Sequence, residues 1–379
     1  MQTKISGTGF TKITDHWSKS IVDLAIDSAK QAISESNTSP DMVIFANTLS
    51  SYSSSQENLS TIISEELGLS DITTFKIESS SCSGAMAVNI GHKLLNSDNL
   101  ESVLIIGAEK MTDLSPAETI KATALGESYE YTQFFGITMN SLYALFSRLY
   151  MEKYNVTSEE LSQFSVLSHK HSVTCKHAQF NREFSLDSIN KSATVSSPLR
   201  MLNCSPIGDG SASLVLSKTN NSNFDDVNIL SSTSSNSSTS FFSREDLLKF
   251  NSTTSCLNKS LAESKINLED IDLLEIHDVV PAITANILET MGFSKPGNAS
   301  SDVLSGKYDL NSKVTLSSSG GLKARGNPLS ATGIYQIIEV TRQLQNRSHV
   351  NLEDKNIGLC HNMSGIDSNT VVHVLGVAN

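Results

Sequence analysis

The sequence predicts an α/β fold made of two similar halves packed together, the first half carrying an inserted lobe. Three observations predict it. Strand-like apolar runs alternate with helical patterns, which argues for layers of helix and mixed sheet. The order of those elements in the first half recurs in the second, the mark of an internal repeat. A long segment, about 111–202, interrupts the first copy before its last strand.

The repeat can be followed element by element. Met42–Asn47 (MVIFAN) and Leu273–His277 (LLEIH) are apolar runs that each follow an acidic turn. Thr73–Ile77 and Val314–Leu316 come next and read as strands. Each leads into a turn of small residues, Ser79–Gly84 and Ser317–Gly326. Each turn opens a helical pattern, Ala85–Leu95 and Ser330–Leu344, followed by strands Ser102–Gly107 and Asn356–Cys360. Each half closes on a β-rich run, Ser211–Leu216 and Thr370–Leu375. The boundary this implies lies between 1–220 and 221–379. The inserted lobe contains amphipathic helix patterns at Ser141–Lys153 and Ser158–His177, and such insertions often carry ligand contacts. Ser231–Ser240 (SSTSSNSSTS) reads as a loop or linker.

Composition bounds the function. With 379 residues, 38% of them hydrophobic, the chain can build a large core. Its 28 basic and 40 acidic side chains give a net charge of -12, which argues against nucleic acid as a partner. The N-terminus lacks an apolar signal core, and no run approaches the roughly 18 apolar residues of a membrane span. Five scattered cysteines, Cys82, Cys175, Cys204, Cys256 and Cys360, with no CxxC, fit a reducing cytoplasm and argue against a disulfide framework or zinc.

Three residues stand out as chemistry. Cys82 sits between a strand and a helix start, where the helix dipole favours the reactive thiolate and its own N–H can meet a carbonyl oxygen. The competing reading is a buried structural cysteine. His277 falls at the C-terminal end of a strand, where α/β sheets place ligands, or is a hydrogen-bonded core histidine. Asn327, in Gly320–Gly333 (GGLKARGNPLSATG), lies in the turn that the repeat sets opposite Cys82; it also reads as a helix cap. That glycine-rich stretch matches neither phosphate-loop pattern. His169, His171, Cys175 and His177 form a cluster without zinc spacing, on more than one face of a helix, so no metal is expected. His361 beside Cys360 is equally unspecific.

Six ordered blocks resemble the thiolase superfamily over nearly the whole chain: SSSCSGAMAVNIG, SVLIIGAEKMTD, SPIGDGSASLVL, HDVV, GGLKARGNPLSATG and the C-terminal HNMSG. HD and GGLKARG resemble the branch with archaeal and sterol-carrier-linked thiolases. The resemblance implies a five-layered αβαβα fold of two βαβαβαββ halves, and a homodimer or homotetramer. It implies that Cys82 takes an acyl group from a coenzyme A thioester, with no bound cofactor. The N–H groups of Cys82 and Ser364 would form an oxyanion hole. Archaeal relatives also assemble with partner proteins, which the resemblance extends to this chain.

The chain departs from the family at two places. Where the family reads GHP it has Gly326-Asn327-Pro328, and asparagine donates hydrogen bonds but takes up no proton at neutral pH. A lost general base costs about 10²–10⁴-fold. The family's second cysteine, in a CxG turn, is replaced by Asn362, with Ser364 at the glycine. Cys360, two residues upstream, is a further candidate. Val279 stands where sterol-carrier-linked relatives place a cysteine after HD. Cys82, His277 and Asn327 also resemble the Cys–His–Asn set of ketoacyl-ACP synthase III and HMG-CoA synthase. Three functions are therefore expected in competition: thiolysis or condensation of short 3-ketoacyl-CoA such as acetoacetyl-CoA, a Cys–His–Asn condensing enzyme, or an impaired coenzyme A-binding subunit of an acyl-transfer complex. No residue is assigned to coenzyme A. Arg148, Arg182 and Arg200 are candidates for its phosphates, each more readily a solvated surface charge.

Overall fold

The computed structural model describes residues 3–97, 99–219 and 221–377. Its strands are β1 (Thr3–Phe10), β2 (Met42–Ala46), β3 (Thr73–Ile77), β4 (Ser102–Glu109), β5 (Thr194–Ser196), β6 (Leu199–Arg200), β7 (Gly210–Ser217), β8 (Val227–Asn236), β9 (Leu273–Glu275), β10 (Thr315–Leu316), β11 (Ile357–Ser364) and β12 (Asn369–Val377). β5 and β6 form a small hairpin in the lobe. The other ten run in the order β10-β9-β11-β12-β8-β1-β7-β4-β2-β3.

From either edge inward the order and the directions repeat. β2 lies parallel to β3 and β4, and β7 lies antiparallel to β4 and β1. β9 lies parallel to β10 and β11, and β12 antiparallel to β11 and β8. The two sets of five join where β1 pairs with β8, at Thr3 with Ile229 and Lys4 with Asn228. Each run paired by the sequence repeat falls on corresponding strands of the two sets.

Layering follows from side-chain alternation along the strands. In β4, Leu104 and Ile106 pack in one cluster with Ala25 and Ala29 of the Ile21–Ser36 helix. Val103 and Ile105 face the other way, into a cluster with Val88, Ile334 and Ile338 of the helices Ser83–Ser97 and Thr332–Leu344. β11 alternates likewise: Leu359 packs with Cys256 and Leu257 of the Asn251–Ser264 helix, and Cys360 joins the central cluster. Two helices thus lie between the two sets of strands and others cover the outside, which gives the five αβαβα layers. The central helices touch through small residues. A Cβ on Gly84 would lie 2.3 Å from the Ser330 carbonyl oxygen, and one on Gly333 would lie 2.7 Å from the Ala85 nitrogen.

The expected loop at Ser231–Ser240 is corrected in its first part, since Ser231 to Asn236 belong to β8. Serine composition hid a buried strand whose hydroxyls find partners. Ser231 pairs with Ser260 at 2.7 Å, and Thr233 donates to the Cys256 carbonyl at 2.9 Å. The lobe forms the helices Met139–Tyr154 and Ser158–Ser172. The second ends five residues before the expected His177. Both lobe helices share a core with Ile283 and Ile287 of the Pro281–Thr290 helix, so an insertion in the first half is buttressed by the second.

Candidate active site

Cys82 lies immediately before the Ser83–Ser97 helix, in a turn built by serines. The Ser83 hydroxyl accepts from the Ser79 N–H (2.8 Å) and donates to the Ser80 carbonyl (2.6 Å), while Thr48 donates to the same carbonyl (2.9 Å). Small residues let this turn sit against β11. There the Cys82 thiol donates to the Asn362 carbonyl oxygen at 3.2 Å. The thiol is fully buried and no cation accompanies it among the groups acting on it, so burial pushes it well above the usual thiol range. Against the helix dipole, which favours a thiolate there, burial thus favours the neutral thiol.

The oxyanion hole also differs from expectation. The Cys82 N–H is directed at the Ser79 carbonyl (3.1 Å) and the Ser364 hydroxyl (3.3 Å), which itself donates to the Ser79 carbonyl (2.6 Å). It is the Ser364 side chain, rather than its N–H, that meets Cys82.

His277 follows β9 and is buried, and desolvation pushes it down to about 3, which leaves a neutral imidazole at pH 7. Asn362 donates through Nδ2 to His277 Nδ1 (3.2 Å) and to Gln336 Oε1 (2.9 Å). Nδ1 being an acceptor, the ring proton resides on Nε2. Asn362 therefore contacts Cys82 through its backbone and His277 through its side chain, and its Oδ1 is buried without a partner. Gln336 is a site residue that the sequence reading missed; it sits in a helix with no motif around it.

Asp278 explains the HD and GG motifs together. Its carboxylate accepts from the Leu322 N–H at 2.8 Å. A Cβ on Gly321 (φ +59) would lie 2.0 Å from Asp278 Oδ2, so this position is both left-handed and closed to a side chain. The contact ties the turn before Asn327 to the end of β9. Asn327 Oδ1 accepts from the Thr332 hydroxyl at 2.8 Å, leaving its N–H groups as donors.

Asn327 lines a cavity of about 100 Å³ together with Ser81, beside Cys82; Val279, after the HD pair; and Gly365, after Ser364. The lobe supplies the opposite wall, including Glu127, Asn140 and Tyr143. Four turns singled out by sequence thus reach one space, through Asn327 itself and through neighbours of Cys82, His277 and Ser364, which do not line it. Glu127 is a second residue the sequence reading missed.

The remaining candidates lie elsewhere. Cys360 faces the central hydrophobic layer, where burial raises its thiol well above the ordinary range. Arg148 bonds to Ser197 (3.1 Å to its carbonyl), Arg200 donates to Thr194 Oγ1 (2.8 Å), and Arg182 stacks on Phe184, so all three serve the lobe itself and none lines the cavity. The histidine cluster disperses. His169 packs against Phe184, His171 donates to the Leu316 carbonyl (2.9 Å), and His177, beyond the helix, pairs with Glu339. Among the described residues no group of three or more His, Cys, Asp or Glu is arranged to hold a metal. No helix among them is long and apolar enough to cross a membrane.

Comparison with known proteins identifies the chain as an acyltransferase of thiolase type. Residues 4–220 match the family model described as Thiolase, N-terminal domain, and residues 233–377 match Thiolase C-terminal domain-like. The chain belongs to the thiolase family. It is 30% identical over 377 residues to an acetyl-CoA acetyltransferase of Methanothermobacter thermautotrophicus, covering 98% of both chains. It is 31% identical over 385 residues to the acetyl-CoA acetyltransferase of Methanocaldococcus jannaschii, again over 98% of each. Among solved structures, the Ltp2–ChsH2(DUF35) aldolase superposes with a TM-score of 0.85 at 20% identity, covering 99% of this chain and 98% of that one.

Proposed function

We propose that this chain moves short acyl groups between coenzyme A thioesters through an acyl-thioester on Cys82, with acetoacetyl-CoA or another short 3-ketoacyl-CoA as substrate. The convergence on one cavity of the turns bearing Cys82, His277, Asn327 and Ser364 carries the reading. Cys82 sulfur attacks the thioester carbonyl, the bond to the coenzyme A sulfur breaks, and the thiol proton leaves with that sulfur. Splitting the transfer in this way replaces one hard step by two easier ones. The negative oxygen formed at each step needs fixed donors. Neutral His277, through Nε2–H, and the Asn327 amide supply them, and the Cys82 N–H joins when substrate displaces the Ser364 hydroxyl.

A second reading has one observation in its favour. Asn327, with Oδ1 taken by Thr332, and neutral His277 are both donors, a pair suited to an enolate formed by decarboxylation. Release of carbon dioxide from malonyl-CoA would give this reading the lead.

The decisive experiment is the rate of acetoacetyl-CoA thiolysis by wild type, Cys82→Ala and Asn327→His, with intact-mass detection of the acetylated chain. We expect an active wild type, acetylated on Cys82, and an inactive Cys82→Ala. A wild type that acetyl-CoA never acylates sinks the reading. The proposal extends to a homodimer or homotetramer in the cytoplasm and to a protein partner. Exposed Tyr129, Tyr131, Phe134 and Phe135 on the lobe, and the two-protein name of the aldolase relative, support association.

A further inference from the structure

With asparagine at 327 and 362, the site lacks an obvious group to move the substrate's α-proton, and a buried carboxyl on the lobe stands in the wall of the same cavity. We propose that Glu127 is the catalytic base and acid for that proton, acting on the acyl-CoA bound beside Cys82. The inference rests on the acyl-Cys82 reading above.

Three observations carry it. Glu127 lines the cavity with Ser81, Asn327 and Gly365, although the residue is only 6% exposed. Its Oε2 is buried without a hydrogen-bond partner, which is costly for a carboxyl unless a ligand completes it. Its Oε1 lies close to the backbone of Gly365, since a Cβ built there would be 2.5 Å away. Gly365 directly follows Ser364, whose hydroxyl meets the Cys82 N–H, so the carboxyl sits next to the turn that closes over the nucleophile.

The charged and titratable surroundings suit the task. Burial pushes the carboxyl up to about 7, and the Arg244 guanidinium pulls it back only in part. Arg244 comes from the segment after β8, and its Nε and Nη1 are also buried without partners. Tyr143, from the facing lobe helix, stays neutral because burial and Glu127 both raise its hydroxyl. A carboxyl poised near neutrality is in the range where general acid–base catalysis is efficient.

The step balances. In the condensing direction the Glu127 carboxylate takes a proton from the α-carbon of the second acyl-CoA and becomes a carboxylic acid. The electron pair left on that carbon forms the new C–C bond to the acyl carbon on Cys82. The C–S bond to Cys82 breaks, and the Cys82 thiolate takes the proton back from Glu127. Thiolysis runs the same transfers in reverse.

The test is deuterium exchange into the acetyl-CoA methyl group in D2O, followed by NMR, beside intact-mass acylation of Cys82. Wild type, Glu127→Gln and Glu127→Asp are compared, with circular dichroism to check folding. Glu127→Gln is expected to acylate on Cys82 while exchange falls at least about 100-fold. Glu127→Asp is expected to keep part of the exchange, rising with pH through the neutral range, whereas Glu127→Gln shows no such rise. Exchange by folded Glu127→Gln within a few-fold of wild type overturns the proposal and leaves the acyl-cysteine reading intact. Folded Glu127→Asp that loses acylation and exchange together also overturns it, because the residue then only positions the site. A wild type that never acylates removes both.

Discussion

At the scale of single residues the site is defined by what burial does to protons. Cys82 is held as a thiol and His277 as a neutral ring by the same desolvation that surrounds them with core. In the proposed mechanism His277 is therefore a donor, with its own titration pushed far below the working range. His277→Ala is expected to lower thiolysis by about 10²–10³-fold, the usual loss for one oxyanion donor. Acylation of Cys82 in the wild type should show no inflection near pH 6.5; one that vanishes in His277→Ala would contradict the neutral donor. Cys82, His277 and Asn327 stand out in sequence because each sits at a junction of strand or turn with helix, where local pattern is strong. Glu127 and Gln336 do not. In sequence a buried carboxyl on a lobe looks like any surface acid, and its desolvation exists only once the lobe has folded against the second half.

At the scale of elements the turns, more than the strands, decide the geometry. The Asp278–Leu322 bond fastens the GGLKARG turn to β9, and Gly321 is required there by both conformation and space. Gly321→Ala must tolerate a left-handed backbone, at about 1–2 kcal/mol, and displace Asp278. We expect a lower urea midpoint and a fall in activity larger than the stability loss explains; a variant as stable and active as wild type would show that the turn has slack. β8 teaches the converse lesson. Its serine-rich stretch carries no apolar alternation and reads as a loop in sequence, yet pairing with β12 along 231–236 and buried hydroxyl partners hold it as a strand. Propensity gave way to tertiary context.

For the molecule as a whole, buried titratable groups set the response to pH. His169, His277, His361 and His373 are each pushed down to about 3 by desolvation. Below their ordinary value of 6.5 the unfolded chain binds protons that the folded chain refuses, so stability falls as pH drops towards 3. Glu109 and Glu127, raised to about 7, and Asp278, raised to about 6, work the other way. The folded chain protonates them first, so they add stability as pH falls, until the unfolded carboxyls catch up near 4. Stability is thus expected to change little from about pH 6.5 to 4.5 and to drop steeply between about 4.5 and 3, by several kcal/mol on the scale of about 1.4 kcal/mol per pH unit and group. Urea titrations at pH 6.5, 4.5 and 3.5 measure it, and an even slope across the whole range would refute the assignment.

The sequence by itself determined the repeat, hence the mirrored strand order, the family and the turns that carry Cys82, His277 and Asn327. Those features are written in local periodicity and in short runs of small residues, which need no knowledge of distant partners. Only the tertiary structure decided that the lobe packs on the opposite half, that Asn362 links Cys82 to His277, and that Ser364 occupies the Cys82 N–H. These join residues from 85 to 282 positions apart. Their protonation states and hydrogen bonds follow from burial, a property of the assembled layers rather than of any segment.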